Sequence, residues 1–133
     1  MPSSNGLDIG LLSDLHLHKR YDPWWGPYPD DEGGCMENDG TLEDLKAPMG
    51  RYSCDSPKIL LETMFEEFKH SHGKQDVIIL TGDFIAHQTA KVYPDPSYDL
   101  YGLLLKTHHE VVQALAKHFP ETIILPAFGN NDC

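Results

Sequence analysis

A short apolar run that stops on a glycine and a carboxylate is the feature that most constrains this sequence. Residues 77–80 read Val-Ile-Ile-Leu, and Thr81-Gly82-Asp83 follows directly. A run of this length between polar residues predicts a strand buried on both faces, as in parallel sheets. Asp83 would then stand at the carboxyl end of the strand, the edge where open α/β sheets bind ligands. The sequence therefore marks Asp83 as a candidate site residue.

Two further stretches share this design, one near each end of the chain. The run from Asp8 to Leu12 leads into Ser-Asp-Leu-His, and the run from Thr122 to Ala127 leads into Phe-Gly-Asn-Asn-Asp. Because parallel strands place their carboxyl ends on one edge, we expect four polar side chains to converge there: Asp14, His16, Asp83 and Asn130. This mixture of oxygen and nitrogen ligands suits zinc, manganese or iron. A carboxylate shared by two ions commonly holds them about 3.5–4 Å apart for phosphoryl hydrolysis.

These blocks resemble those of a known enzyme family. Asp-Leu-His at 14–16, Gly-Asp at 82–83 and Gly-Asn-Asn-Asp at 129–132 are similar to the D-x-H, G-D and G-N-H-[DE] blocks of the calcineurin-like metallophosphoesterases. The resemblance extends from about residue 7 to the last residue, over the first half of that family's catalytic domain. It implies an α/β fold, the N-terminal half of the metallophosphoesterase α/β/β/α sandwich, with parallel strands joined by crossover helices.

A narrower resemblance points to one branch of the family. Cys-Asp-Ser-Pro at 54–57, Thr-Gly-Asp at 81–83 with His87, and Pro-Ala-Phe-Gly-Asn at 126–130 look like the acid sphingomyelinase-like phosphodiesterases and their relatives, the vacuolar endopolyphosphatases. In that branch a cysteine lies upstream of the one in the Cys-Asp-Ser-Pro block, as Cys35 does here. The resemblance thus implies a Cys35–Cys54 disulfide, which would close a loop of about 20 residues. Two free thiols are the alternative.

The resemblance also implies which ligand binds which metal ion. Asp14 and His16 would bind one ion, Asp83 would bridge both, and Asn130 would bind the second. Two divalent ions are therefore expected, with zinc as the first choice and manganese or iron as alternatives.

Two more residues receive catalytic roles from the resemblance. His87 is expected to contact the phosphate or to protonate the leaving group, and a neutral surface histidine is the alternative reading. Asn131 stands where the family usually has a histidine. An asparagine can hydrogen-bond a phosphate but cannot donate a proton as an imidazolium does, so the acid step would fall on His87.

These roles predict metal-dependent hydrolysis of a phosphodiester. The Gly-Asn-Asn-Asp form resembles the endopolyphosphatase branch, so phosphoanhydride hydrolysis in polyphosphate is the alternative. Expected ligands are phosphate-containing small molecules, lipid headgroups or polyphosphate. The family completes its metal shell with a downstream histidine and a Gly-His-x-His, which these 133 residues lack. The chain alone is therefore expected to bind metal weakly and to be inactive, and a non-catalytic fragment or binding module is the alternative of another class.

Composition limits the partners and the compartment. The net charge of −11 argues against a nucleic-acid binder, and no apolar run approaches membrane-spanning length. The eight histidines would reduce the negative charge at mildly acidic pH. The charge is thus compatible with an acidic compartment, and we expect a secreted protein or one of a lysosome- or vacuole-like compartment. No signal peptide is visible in the sequence, so a cytosolic protein is the alternative.

One domain is expected over residues 1–133, with its C-terminal half absent and a long loop insertion at 17–55. Aromatic side chains of this insertion either wall a substrate pocket or merely cover the sheet: Tyr21, Trp24, Trp25 and Tyr28.

Two helices are predicted between the strands. Ser56 as N-cap and Pro57 as first helical residue begin one of them, and its buried face repeats at i, i+4 spacing: Leu60, Leu61, Met64, Phe65 and Phe68. The second helix is expected from about Tyr98 to His118. His70 and His72 precede a strand, so we interpret them as cations at a helix C-terminus rather than as metal ligands.

Overall fold

The computed structural model describes residues 6–27, 35–36, 41–87 and 99–132. In chain order the strands are β1 (Ile9–Leu12), β2 (Trp25–Gly26), β3 (Thr41–Leu42), β4 (Val77–Leu80) and β5 (Ile123–Pro126), and the helices are α1 (Lys58–His72) and α2 (Leu100–His118). A parallel sheet runs in the order β1-β4-β5. Because α1 connects β1 to β4 and α2 connects β4 to β5, the predicted α/β arrangement with crossover helices is confirmed.

Both helices pack on the same face of the sheet. Their apolar stripes meet the inward side chains of the strands in one core, whose members include Leu12, Leu61, Phe65, Ile78, Leu80, Val111 and Leu115. Phe65 is fully buried and makes an edge-to-face contact with Phe119, with ring centroids 5.8 Å apart. The predicted buried face of α1 is correct for Leu61 and Phe65, whereas Leu60 is 37% exposed.

The opposite face of the sheet is exposed, so the prediction of strands buried on both faces was wrong. In register across the three strands, this outer face consists of Ile9, Leu11, Val77, Ile79, Ile123 and Leu125. Leu11 is 64% exposed and Leu125 is 51% exposed, and Ile79 on the central strand is 36% exposed. An apolar run shows that the side chains of a strand are hydrophobic, but it does not reveal whether a second layer of structure covers the outer face of the sheet.

The start of α1 differs from the prediction by one position. The N-cap is Pro57, and no side chain caps this helix end. Ser56 is instead bonded through its backbone to the segment after β1: its N–H donates to the His16 carbonyl, and its carbonyl accepts from His18, both at 2.9 Å. At the other end, His70 and His72 lie exposed in the last turns of α1, as the sequence indicated.

In α2, Asp99 is the N-cap and accepts a hydrogen bond from the Gly102 N–H at 2.8 Å. Tyr98, where the prediction began this helix, lies outside the described residues. Within the described part of the chain, neither helix combines the length and the apolar character needed to cross a bilayer.

The segment between β1 and α1 is tied down at several points. Strand β2 pairs antiparallel with β3, and the Tyr21 hydroxyl donates to the Ala47 carbonyl at 2.6 Å. The Cys35–Cys54 disulfide that the resemblance implied is present. For Tyr21, the hydrogen bond to Ala47 favours a structural role over a place in the wall of a substrate pocket. Trp24 is 46% exposed, and Tyr28 lies outside the described residues.

Candidate metal centre

The carboxyl edge of the sheet brings together residues that follow β1 and β4. Past the strand ends, the Asp14 N–H donates to the Gly82 carbonyl at 3.3 Å, and the His16 N–H donates to the Asp83 carbonyl at 2.9 Å. These bonds keep the two segments side by side beyond the sheet. As a result, one ligand atom from each of Asp14, His16 and Asp83 lies within 4.8 Å of the other two.

The backbone at these three residues is in the left-handed region. The φ angles are +54° at Asp14, +41° at His16 and +55° at Asp83, and Ser53 at +62° is the other non-glycine example in the described part of the chain. Each such conformation costs about 1–3 kcal/mol and persists only where the surroundings hold it, typically at functional sites. Sequence patterns gave no sign of this strain, because the same residue types occur in ordinary turns.

Two glycines allow the loops after β4 and β5 to touch. Gly82 has a φ of +102°, and a Cβ at this position would overlap the backbone of Gly129. A Cβ at Gly129 would in turn overlap the Asp83 carboxylate. Larger residues would therefore separate the two loops, and with them the candidate ligands on each.

The third strand contributes through a short 3-10 helix, Asn130–Asp132. The Asn131 N–H donates to Asp83 Oδ1 at 3.0 Å. This bond holds the pKa of Asp83 below its ordinary value despite partial desolvation, and His16 and His87 act in the same direction. Asp83 is thus kept ionised, as a cation ligand must be. Asn130, the first residue of this 3-10 helix, is exposed.

Asp132 is a functional candidate that the sequence reasoning did not assign. Its buried carboxylate accepts four backbone N–H bonds: Oδ2 from Asp83 at 2.7 Å and Gly129 at 2.8 Å, and Oδ1 from Phe84 at 2.8 Å and Ile85 at 3.3 Å. In the sequence, the sign that Asp132 could have a function was its position at the acidic end of the Gly-Asn-Asn-Asp block. Asp132 joins the β4 and β5 loops independently of any metal.

His87 lies at the same edge, against the candidate ligands. Its ring stacks on His16 with centroids 3.9 Å apart, and 37% of its side chain is exposed. Asp55, also unassigned from the sequence, contacts it twice: Asp55 Oδ1 is 2.8 Å from His87 Nδ1, and Oδ2 accepts the His87 backbone N–H at 2.6 Å. The Cys-Asp-Ser-Pro block contained Asp55 but gave no indication of its partner.

The donor set fits divalent metals. Two carboxylates and an imidazole converge, and the hydrogen bond from Asn131 lowers the pKa of the Asp83 carboxyl. Oxygen and imidazole ligands of this kind suit zinc, manganese or iron, and do not select among them.

Comparison with known proteins identifies similar chains, although no protein-family model matches. The chain is 29% identical over 121 residues to cyclic GMP-AMP phosphodiesterase SMPDL3A of Mus musculus, covering 91% of this chain and 25% of that protein. It is 31% identical over 122 residues to mouse acid sphingomyelinase-like phosphodiesterase 3b, covering 91% and 24%. An endopolyphosphatase of Schizosaccharomyces pombe is 29% identical over 90 residues, covering 65% and 15%. The chain thus spans about a quarter of the length of the first two relatives.

Proposed function

We propose that this chain, which is similar to acid sphingomyelinase-like phosphodiesterases, supplies the metal edge of a metal-dependent phosphodiesterase. One observation carries the proposal: ligand atoms of Asp14, His16 and Asp83 lie within 4.8 Å of one another, each on left-handed backbone. Stored strain at three converging metal-ligand residues is typical of a functional site.

The proposed site holds two divalent ions, with zinc as the first choice. Asp14 and His16 would hold one ion, Asp83 would bridge the two, and Asn130 would hold the other. Bound ions of this kind supply Lewis-acid polarisation of the phosphoryl group and an activated water. The lowered pKa of Asp83 supports its role as a ligand, because it extends to lower pH the range in which the ionised form that binds a cation prevails.

The remaining steps fall to side chains of this chain. His87 is the proposed acid, which would give a proton to the leaving oxygen, and its stacking on His16 places it beside the proposed ligands. Asn131 is the proposed phosphate contact. Its hydrogen bond to Asp83 gives it a second task, which is to hold the bridging carboxylate in place.

The proposed substrate is a phosphodiester, in a small molecule or a lipid headgroup. Polyphosphate is the second candidate, favoured by Asn131 in place of a histidine and by the match to an endopolyphosphatase. Phosphoanhydrides have good leaving groups, so they would tolerate weaker acid assistance. The Cys35–Cys54 disulfide supports a secreted protein or one of a lysosome- or vacuole-like compartment, because disulfides persist in oxidising environments.

Zinc binding tests the proposal without requiring turnover. The chain is stripped with a chelator and titrated with zinc by calorimetry, with stoichiometry from native mass spectrometry. We expect Asp83→Asn to weaken zinc binding at least about tenfold, since it removes the shared anionic ligand. Asp44→Asn, an identical change at an exposed position in the segment before α1, is the matched control and should keep the wild-type affinity.

A second control tests for adventitious zinc binding by His70 and His72, which are exposed at the end of α1. The double variant His70→Ala/His72→Ala should retain the zinc site that Asp83→Asn loses. Equal zinc affinity in the wild type and in Asp83→Asn would refute the metal edge, and would favour the alternative of a non-catalytic binding module.

A further inference from the structure

Both oxygens of the Asp55 carboxylate are occupied by the same residue. Oδ2 accepts the backbone N–H of His87 at 2.6 Å, and Oδ1 is 2.8 Å from the ring nitrogen Nδ1. A backbone N–H can only donate, and an ionised carboxylate can only accept. The proton between Asp55 and the ring therefore belongs to Nδ1, and the tautomer of His87 is fixed by its partner.

Asp55 is itself held in place. Only 8% of its side chain is exposed, and it follows Cys54, which the disulfide ties to the fully buried Cys35. On its other side, Ser56 is bonded through its backbone to both His16 and His18. The carboxylate thus stands on a segment anchored both to the disulfide and to the continuation of β1.

The other ring nitrogen is the one left for chemistry. With Nδ1 bonded to Asp55 and the ring stacked on His16, Nε2 is the ring nitrogen of His87 that has no hydrogen bond to the described residues. Rotation of the ring would break the hydrogen bond between its Nδ1 atom and Asp55. A ring held in this way presents one defined atom to a ligand at the metal edge.

We propose that Asp55 is a positioning residue for His87: it fixes the tautomer and the orientation of the imidazole, so that Nε2 meets the substrate. The consequence for turnover rests on the proposed function, whereas the consequence for the tautomer depends only on the contacts described above. The competing interpretation is that His16, Asp55 and His87 form a cation site, because one ligand atom from each lies within 4.8 Å of the other two.

The tautomer is measured directly by long-range ¹H–¹⁵N correlation spectra of the chelated, ¹⁵N-histidine-labelled chain at about pH 8, above the ordinary histidine pKa. In the wild type we expect a proton on Nδ1 of His87. His16 and His108 are internal references, since their Nδ1 atoms lie 3.1 Å and 2.9 Å from backbone carbonyls, which can only accept. Their Nδ1–H signals should be present in every sample.

The informative variant is Asp55→Asn. The backbone N–H of His87 still requires an acceptor, so the amide oxygen of the asparagine faces it and the NH₂ group faces Nδ1. Because that NH₂ group can only donate, we expect His87 to change to the Nε2–H tautomer. Asp99→Asn, the same change at a carboxylate that accepts a hydrogen bond from the Gly102 N–H at the start of α2, should leave the His87 signals unchanged.

Three outcomes would overturn the proposal. They are a neutral Nε2–H tautomer in the wild type, an Nδ1–H retained in Asp55→Asn, and loss of the His87 Nδ1 proton when one equivalent of zinc is added, which would assign Asp55 to a cation site. The wild-type spectrum alone decides the first of these, so the proposal can be refuted even if the Asp55→Asn variant does not fold.

Kinetics of any form of this protein that hydrolyses a phosphodiester add an independent measurement. Asp55→Asn should lower kcat more than it changes KM, by up to about 10²–10⁴-fold for an alkyl phosphodiester, the range of a general acid's contribution. The loss should be small for a p-nitrophenyl ester, whose leaving group needs no proton. An equal loss for both esters would contradict positioning of an acid. A wild-type enzyme without activity would refute the proposed function and leave the tautomer result standing.

Discussion

At the residue scale, the candidate metal centre depends on buried carboxylates that accept hydrogen bonds from backbone N–H groups. Asp132 is the clearest case, since one side chain accepts hydrogen bonds from both the β4 loop and the β5 loop. A carboxylate can serve four donors at once because each oxygen accepts two bonds. An asparagine of the same shape has one accepting oxygen and one donating nitrogen, and cannot replace it.

Replacement of Asp132 by asparagine should therefore destabilise the chain. Two of the four N–H groups would face another donor inside the protein, and a buried unsatisfied donor costs about 1–3 kcal/mol. We expect the free energy of unfolding to fall by at least about 2 kcal/mol in urea titrations.

The matched change is Asp99→Asn at the N-cap of α2, where asparagine and aspartate are nearly equivalent. It should leave the midpoint close to the wild-type value. Equal effects of the two substitutions would show that the four bonds to Asp132 add nothing beyond an ordinary cap.

What the sequence could predict at this scale depended on strand ends. Asp14, His16 and Asp83 were predictable as a group because each follows an apolar run, and parallel strands align their ends. Asp55 and Asp132 had no predicted role, because the partners of a hydrogen-bond acceptor depend on loop conformation. The left-handed backbone at Asp14, His16 and Asp83 has the same origin: it arises from tertiary contacts rather than from local preference.

At the element scale, the Cys35–Cys54 bridge joins two points of the segment between β1 and α1. It closes a loop with a sequence separation of 19. A cross-link of this span restricts the unfolded chain and stabilises the folded one by roughly 3 kcal/mol in the chain-entropy model.

Removal of the bridge should reduce stability by that order. The double variant Cys35→Ala/Cys54→Ala should lose roughly 3 kcal/mol of unfolding free energy, measured by urea titration without reductant. Cys133→Ala removes a thiol but keeps the bridge, and should behave as the wild type. A double variant as stable as Cys133→Ala would show that the loop is already ordered by its other contacts.

Sequence predicted the elements better than their limits. The apolar periodicity located both helices because side chains that repeat at 3.6 residues must share a face. It placed the start of α1 one residue early, since Ser56, a good cap by type, is recruited by His16 and His18 through its backbone. Tertiary hydrogen bonds thus overruled a local preference.

At the scale of the whole molecule, the sheet separates a buried face from an exposed one. The inner face packs under α1 and α2, while the outer face presents Leu11 and Leu125 to solvent. The sequence could not distinguish the two faces, because the residues of both are aliphatic: Ile78 and Leu80 point inward, and Ile79 between them points outward. Only the position of the helices reveals which half of each strand is covered.

The outer face also has a consequence for behaviour in solution. At neutral pH the net charge of −11 keeps copies of the chain apart. As the pH falls, histidines and carboxylates take up protons, and the charge vanishes near the isoelectric point of about 4.9. Exposed aliphatic patches associate most readily when electrostatic repulsion is lost, so we expect light scattering to rise steeply as the pH approaches that value.

The double variant Leu11→Thr/Leu125→Thr should scatter less than the wild type near that pH, whereas Leu45→Thr, at a side chain 77% exposed elsewhere, should not. Equal turbidity in all three proteins would exclude the outer face as the cause. If the expectation holds, this chain is colloidally least stable in acidic surroundings, the same conditions in which its histidines gain their charge.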